Sequence, residues 1–263
     1  MGQSSVPDFS TQWSQFTDHR GYFVSEELLD DVMKPFVRVQ DLRDKSVGEV
    51  GCGNGRFIRL LAPVAARVVA IEPSDGFFNT EAMVREQGFD NVELIHESVY
   101  DLPTFEPLDL LMSIGVIHHL PDPLAALRAM HARLKDGGRC LIWVYGKEGN
   151  ELYLSIAEPM RMLTQRMPHR LLKGLSTGLT PPLWSYIQAS KRLPMLPMAD
   201  YMSKVLGRFD LETLRLTIYD QLNPTIANYW TEAEVGDLMR EAGFRDVELH
   251  HRHGYSWTAT GLK

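Results

Sequence analysis

Between Ser46 and Tyr145 short apolar runs alternate with stretches whose apolar residues recur at helical spacing, the rhythm of successive βαβ units around a parallel sheet. SVGEV (46–50) reads as the first strand, RVVAIE (67–72) as the second, VELIH (92–96) as the third, LDLLMS (108–113) as the fourth and RCLIWVY (139–145) as the fifth. The second is apolar almost throughout, as burial on both faces demands. FIRLLAPV (57–64) reads as a helix ended at Pro63, and another helix, capped by Ser74 or Asp75, ends near Gly88. A third helix follows Pro121 and runs to the turn KDGG (135–138). Right-handed crossovers bring every strand-to-helix loop to one edge of such a sheet, the edge where ligands bind.

Beyond Gly146 the rhythm changes. Residues 147–225 are helix-compatible and rich in Met, Leu and Pro, including IAEPMRMLTQRM (156–167) and MADYMSKVLGRF (198–209), and read as an inserted helical lid. In TEAEVGDLMREAGF (231–244), Thr231 and Glu234 make a capping box and Gly243 closes the helix. DVELHH (246–251) and YSWTAT (255–260), turning at Gly254, predict a terminal hairpin. The expected division is a helical cap over 1–45, a sheet domain from 46–146 and 226–263, and the lid over 147–225.

Composition narrows the function classes. With 44% hydrophobic and 23% charged residues among 263, disorder and low-complexity repeats are excluded. Cys52 and Cys140 lack metal-ligand spacing, so no disulfide framework or zinc site is expected, and a reducing cytoplasm fits. The N-terminus lacks a basic-then-apolar leader, and no apolar run reaches the ~18 residues of a membrane span. The net charge of −7 opposes phosphate attraction and disfavours nucleic acid as a partner. Yet Lys147 to Arg215 carries ten Lys/Arg against six Asp/Glu, a balance of +4 that leaves −11 for the remainder. There Arg161, Arg166, Arg170 and Lys173 accompany Met160, Leu163, Met167 and Leu171. This basic amphipathic arrangement suits an anionic or lipophilic substrate or a membrane surface, or is a solvated face over a packed one.

The most informative residues are Glu49-Val50-Gly51-Cys52-Gly53-Asn54-Gly55, between a predicted strand and helix. Glycines there permit positive φ and close approach of backbone to a ligand. A tight structural turn explains one or two glycines, less readily three alternating ones preceded by an acid. No G-x-G-x-x-G register is met, and Glu49 would repel a pyrophosphate but attract a cationic ligand. Glu72, at the end of the second strand, suits ribose hydroxyls and argues against a 2′-phosphate, or else is a solvated strand-end acid.

Taken in order, VGEVGCGNGRF, IEPSD, DLLMSIGVIHHLPDP and LKDGGRCLIWVY resemble the motifs of class I S-adenosylmethionine-dependent methyltransferases, over about 49–145, with a weaker echo in EAGFRDVEL (241–249). The resemblance implies an α/β fold: a Rossmann-like, doubly wound sheet, mostly parallel with a C-terminal antiparallel hairpin strand, plus the helical lid insertion. It also implies S-adenosylmethionine as cofactor and S-adenosylhomocysteine as product. Carried over, Glu49, Gly51 and Gly53 border the methionine portion, with Cys52 and Gly55 completing the loop. Glu72 followed by Pro73 meets the ribose, Ser98 and Val99 flank adenine, and Ser113 and Ile114 lie beside the methyl donor. Many relatives carry aspartate where this chain has Ser98, which leaves adenine N6 to its hydroxyl, to backbone or to Asp101. DFSTQWSQF (8–16) resembles a capping segment, with Trp13 and Phe16 covering the cofactor or simply packing.

Methyl transfer from a sulfonium is an in-line displacement, and a base is needed only if the acceptor must lose a proton. His118 and His119 after the fourth strand and Tyr145 at the end of the fifth are the candidates, with capping and packing as their alternative roles. Of His250, His251 and His253, at most His251 and His253 share a strand face, so no metal site is expected. The reading is methylation of a small molecule, most readily at oxygen. The alternatives are an RNA methyltransferase, an NAD-dependent oxidoreductase and a non-catalytic protein that binds S-adenosylmethionine. The N-P-P-Y type of motif used on base amino groups is absent after the fourth strand, where SIGVIHH stands.

Overall fold

The computed structural model describes residues 6–15, 21–164 and 167–263. Two helices precede the sheet, α1 (Val6–Gln15) and α2 (Glu26–Met33). Ser25 starts α2, its hydroxyl accepting from the Leu28 N–H at 3.1 Å. The alternating segment then folds as β1 (Ser46–Val50), α3 (Ile58–Leu61), β2 (Arg67–Ile71), α4 (Gly76–Gln87), β3 (Val92–Ile95), β4 (Leu108–Ile114), α5 (Pro123–Ala132) and β5 (Leu134–Tyr145). Four helices follow, α6 (Glu151–Thr164), α7 (His169–Ser190), α8 (Ala199–Lys204) and α9 (Leu211–Leu222). The chain then forms α10 (Glu232–Glu241), β6 (Arg245–Arg252) and β7 (Ser256–Leu262).

The seven strands make one sheet in the order β3-β2-β1-β4-β5-β7-β6. β1 to β5 pair in parallel, and β7 is antiparallel to both β5 and β6. The strand order reverses between β1 and β4, so their C-terminal ends frame the crevice where open α/β sheets take ligands. Alternation of side chains along each strand splits the core in two. Val47, Val68, Leu110 and Met112 face α2, α3 and α4, whereas Val69, Leu111, Cys140 and Ile142 face α5 and α10.

Three local details differ from the sequence pattern. The helix expected over 57–64 is shorter, because Pro63 lacks the N–H that would continue it. Asp75 occupies the N-cap of α4 without a side-chain bond; the Ser74 hydroxyl instead accepts from the Gly76 N–H at 3.2 Å. Lys135–Gly138 lie inside β5 as a bulge between the pairs Leu108↔Leu134 and Leu110↔Arg139, closed by Gly137 and Gly138 bonding to Lys263.

The helices after β5 pack on one another through two small clusters. Leu172 meets Leu216, Tyr219 and Leu222, and Ile187 meets Leu206 and Leu214, so α7 lies along α9. Among the described residues no helix is long and apolar enough to cross a membrane.

Candidate functional site

A cavity of about 910 Å³ runs from the C-terminal edge of β1, β2 and β4 to a chamber beneath α6–α9. At its sheet end the chain turns after Val50, and the Gly51 and Cys52 N–H groups both donate to the Ile71 carbonyl, at 2.8 and 3.1 Å. Gly51 sits at φ +76°, and a Cβ there would lie 2.3 Å from a Val116 methyl. The turn therefore needs glycine on two counts.

Glu72 is buried, and its two carboxylate oxygens accept from the Gly53 N–H at 2.7 Å and the Ser74 N–H at 2.9 Å. Burial pushes this carboxyl up, while those bonds pull it down. A carboxylate offers about four lone-pair sites, so Glu72 is held in place with acceptor capacity left over. Glu49 is 2% exposed, and among the described residues its Oε2 has no hydrogen-bond partner. Burial pushes the Glu49 carboxyl up to about 8, opposed by the nearby Arg56 guanidinium. Burial in turn brings Arg56 down to about 10, where it lies 4.2 Å from the ring centres of Phe23 and Phe57. A buried acid with one unpartnered oxygen on a cavity wall fits a cationic ligand group.

Glu49, Gly51, Cys52, Glu72, Pro73, Ser98, Val99, Ile114, His119 and Tyr145 line this one cavity. Gly53, Gly55, Ser113 and His118 stand behind its wall. Gly53 acts through its bond to Glu72 and through its carbonyl, which accepts from the Thr80 hydroxyl at 2.9 Å. Gly55 permits close packing, since a Cβ there would meet Met83 at 2.8 Å and Thr80 at 2.9 Å. Ser113 is fully buried and donates to the Val50 carbonyl at 3.1 Å. Cys52 has its thiol pushed well up by burial, which makes it a packing group rather than a nucleophile. The Trp13 side chain and Phe16 lie outside the described residues; from α1, Val6, Phe9 and Gln12 reach the cavity.

The two histidines differ sharply. His118 stacks on Tyr145 with ring centres 3.8 Å apart, and neither ring nitrogen has a partner among the described residues. Burial, and then the neighbouring His119, hold it well below the usual histidine range. His119 Nδ1 lies 2.6 Å from the Ile226 carbonyl, which can only accept, so Nδ1 carries the proton and Nε2 keeps a lone pair. Burial lowers the His119 pKa against the opposing pull of Asp220, keeping the ring neutral near pH 7.

Tyr145 donates to Asp220 Oδ2 at 3.3 Å and accepts from Gln221 Nε2 at 2.8 Å. Gln12 Nε2 donates to Asp220 Oδ1 at 2.9 Å, and Tyr153 donates to Gln221 Oε1 at 2.7 Å. Burial, and then Asp220, raise the Tyr145 phenol well above its ordinary value, so it acts as a neutral donor. Sequence reasoning missed Arg56, Asp220 and Gln221. The last two lie on α9, in a segment without motif, and only their shared helix and the bonds to Tyr145 reveal them.

His253 and His251 take separate partners. His253 Nε2 lies 2.9 Å from Asp31 Oδ2, and the His251 ring stacks on Trp257 at 4.2 Å. Asp31 also pairs with buried Arg252 and with Lys34. Among the described residues no three His, Cys, Asp or Glu side chains gather as a metal site would require.

A family model for a methyltransferase domain matches residues 20–249. The chain belongs to that family. It is a class I, Rossmann-like methyltransferase with S-adenosylmethionine as its cofactor, and the dehydrogenase alternative falls. Curated relatives include the tRNA U34 carboxymethyltransferase of Desulfotalea psychrophila, 34% identical over 116 residues, which are 43% of this chain and 36% of that one. The enzyme of the same name from Shewanella loihica is 33% identical over 116 residues, 43% of this chain and 35% of that one. These matches span about a third of the relatives' length. Among solved structures, a DhpI-SAM-HEP complex aligns over 100% of both chains with TM-score 0.58 and 14% identity. Magnesium protoporphyrin IX methyltransferase from Synechocystis PCC 6803, with bound SAH, aligns over 96% of this chain and 93% of that one, with TM-score 0.55 and 14% identity. At such identity they share the fold.

Proposed function

We propose that this methyltransferase acts on an oxygen of a small lipophilic acceptor, held between the sheet edge and residues 147–225 serving as a lid. The carrying observation is the single cavity that joins Glu49 and Glu72 to an apolar chamber walled by Met160, Leu183, Met202, Val205, Phe209 and Leu216. Pockets for one small ligand run to roughly 300–1,000 Å³, so about 910 Å³ accommodates a cofactor and a modest acceptor together.

Glu49 takes the cofactor's ammonium, Glu72 with Pro73 its ribose, and Ser98 with Val99 its adenine, while the Gly51 turn and Ile114 border the reacting end. When bound, the cofactor supplies an electrophilic methyl on sulfur. His119 Nε2 accepts the acceptor's hydroxyl proton, and Asp220, fixed by Gln12 and Tyr145, orients that hydroxyl. Alignment of reactants is worth roughly 7–11 kcal/mol in such sites, and a positioned base adds about 10²–10⁴-fold. Tyr145 and His118 position the polar cluster instead of exchanging protons. The buried free thiols Cys52 and Cys140 fit a reducing, cytoplasmic setting.

Incubation with methyl-labelled cofactor and a whole-cell extract of the source organism, its RNA included, followed by mass spectrometry of the small-molecule and RNA fractions, should return a labelled methyl ether or ester of low polarity. Label found only in RNA would overturn the reading. That second reading, transfer to a tRNA base, has the names of the curated relatives in its favour. The net charge of −7 and the apolar chamber weigh against it. Its signature is tight tRNA binding whose affinity falls steeply with salt.

A further inference from the structure

Residues 159–199 contain six Lys/Arg, of which Arg161 is buried, and no Asp or Glu, in a chain whose net charge is −7. The same window holds six of the nine large hydrophobic side chains exposed among the described residues: Met162, Leu163, Leu171, Trp184, Leu193 and Met195. Leu163 is 77% and Met195 84% exposed, so these are not partly tucked core residues. A monomeric protein surface ordinarily scatters such side chains singly among charges of both signs.

α7 organises this surface. Its buried positions, Leu172, Ser176, Thr180, Ile187 and Ser190, recur at helical spacing and face α9. The opposite face presents Gly174, Gly178, Pro181, Trp184 and Ser185. From Gly174 to Ser190 the helix has no charged residue, whereas the outer face of a surface helix usually carries many. Arg170 and Lys173 stand near one end and Lys191 and Arg192 at the other. At 22 residues the helix is roughly 33 Å long.

We propose that this outer face of α7, with the end of α6 at Leu163 and the turn at Met195, docks on an anionic lipid surface. Uncharged helix surface, an exposed Trp, aliphatic side chains and basic ends form the pattern of an interfacial helix. The absence of acids across 159–199 supplies charge complementarity to anionic headgroups. A second copy of the chain would set like charges face to face. An RNA would meet the arginines but gain little from aliphatic Leu and Met, which cannot stack on bases. Leu179, Pro182 and Leu183 of the same helix line the cavity, so the docking face and the acceptor chamber lie on opposite sides of one helix.

The test is co-sedimentation of the full chain with vesicles of phosphatidylcholine alone or mixed with phosphatidylglycerol, with and without bulk tRNA as competitor. Binding to the anionic vesicles should exceed binding to the neutral ones by about fivefold or more at low salt and fall at high salt. Leu163→Glu and Met195→Glu, both exposed and checked for unchanged melting, should each weaken it about tenfold, and Arg192→Glu severalfold. Leu211→Glu, an exposed position outside the window, should bind as the parent does. Equal binding to both vesicles, parent-like binding by the glutamate variants, or tRNA stripping the chain from vesicles would each overturn the proposal. No turnover is needed, so failure here leaves the acceptor reading standing, and failure of that reading leaves this one.

Discussion

Glu49 shows how one residue's chemistry depends on what surrounds it. Its carboxyl, raised to about 8 from an ordinary 4.5, is protonated at pH 7 in the ligand-free protein. The folded state therefore binds a proton that the unfolded state releases between these values, so the contribution to stability is full below about pH 4.5 and disappears as pH rises toward 8. A cationic ligand group reverses the preference and ionises the acid. Calorimetry in two buffers of different ionisation enthalpy should find nearly one proton released on binding S-adenosylmethionine at neutral pH, fading above about pH 9, and none with Glu49→Gln. Unchanged release in that variant would remove Glu49 from the ammonium site. The histidines make a second contrast. His119→Gln should lower kcat about 10²–10⁴-fold on a hydroxyl acceptor. His118→Phe, which keeps the stack on Tyr145, should retain most of kcat; equal losses in both would mean that neither is the base. Sequence could nominate the pair but not separate them, because which ring nitrogen finds a carbonyl is decided by residue 226, far along the chain.

At the scale of elements, the pattern of apolar positions located every strand, most plainly β1, β2 and β4, where burial on both faces of a parallel sheet leaves little freedom in composition. The cap of α10 was equally legible. Thr231 accepts from the Glu234 N–H at 3.3 Å while the Glu234 carboxylate accepts from the Thr231 N–H at 2.7 Å, so the local sequence alone sets the start of α10. Thr231→Ala should cost about 1 kcal/mol, measured by urea denaturation with an unchanged m-value. The bulge at Lys135–Gly138 was legible only as a turn. Its place inside a strand depends on Lys263 pairing with Gly137 and Gly138, a contact between distant parts of the chain. α9 is the opposite case to α10. Its helical character is plain, but that one turn of it delivers Asp220 and Gln221 to Tyr145 follows from packing on α7, not from any local signal.

On the scale of the whole molecule, the N-terminal helices are tied to the terminal hairpin through Asp31, which accepts from Arg252 and His253 and pairs with Lys34. Burial alone would raise the Asp31 carboxyl, but His253, Arg252 and Lys34 together outweigh it and hold the acid well below its usual range. Its stabilising contribution is thus present above about pH 4 and lost as pH falls further. Arg252 is 1% exposed, so Asp31→Ala leaves a buried cation with Tyr255 as its neutral partner. Breaking a buried pair in this way costs about 3–5 kcal/mol, and chemical denaturation should show it as a loss of midpoint. A change under about 1 kcal/mol would show that water reaches the arginine.

The places of the strands along the chain and the glycine turn between Glu49 and Gly55 follow from short-range necessity. Alternation, positive φ and two-faced burial are properties of neighbouring residues, and a linear sequence displays them. The chamber beneath α6–α9, the split between His118 and His119 and the Tyr145–Asp220–Gln221 cluster arose only on folding. Each depends on which distant carbonyl, carboxylate or apolar face comes to lie opposite, and long-range packing has no period to read.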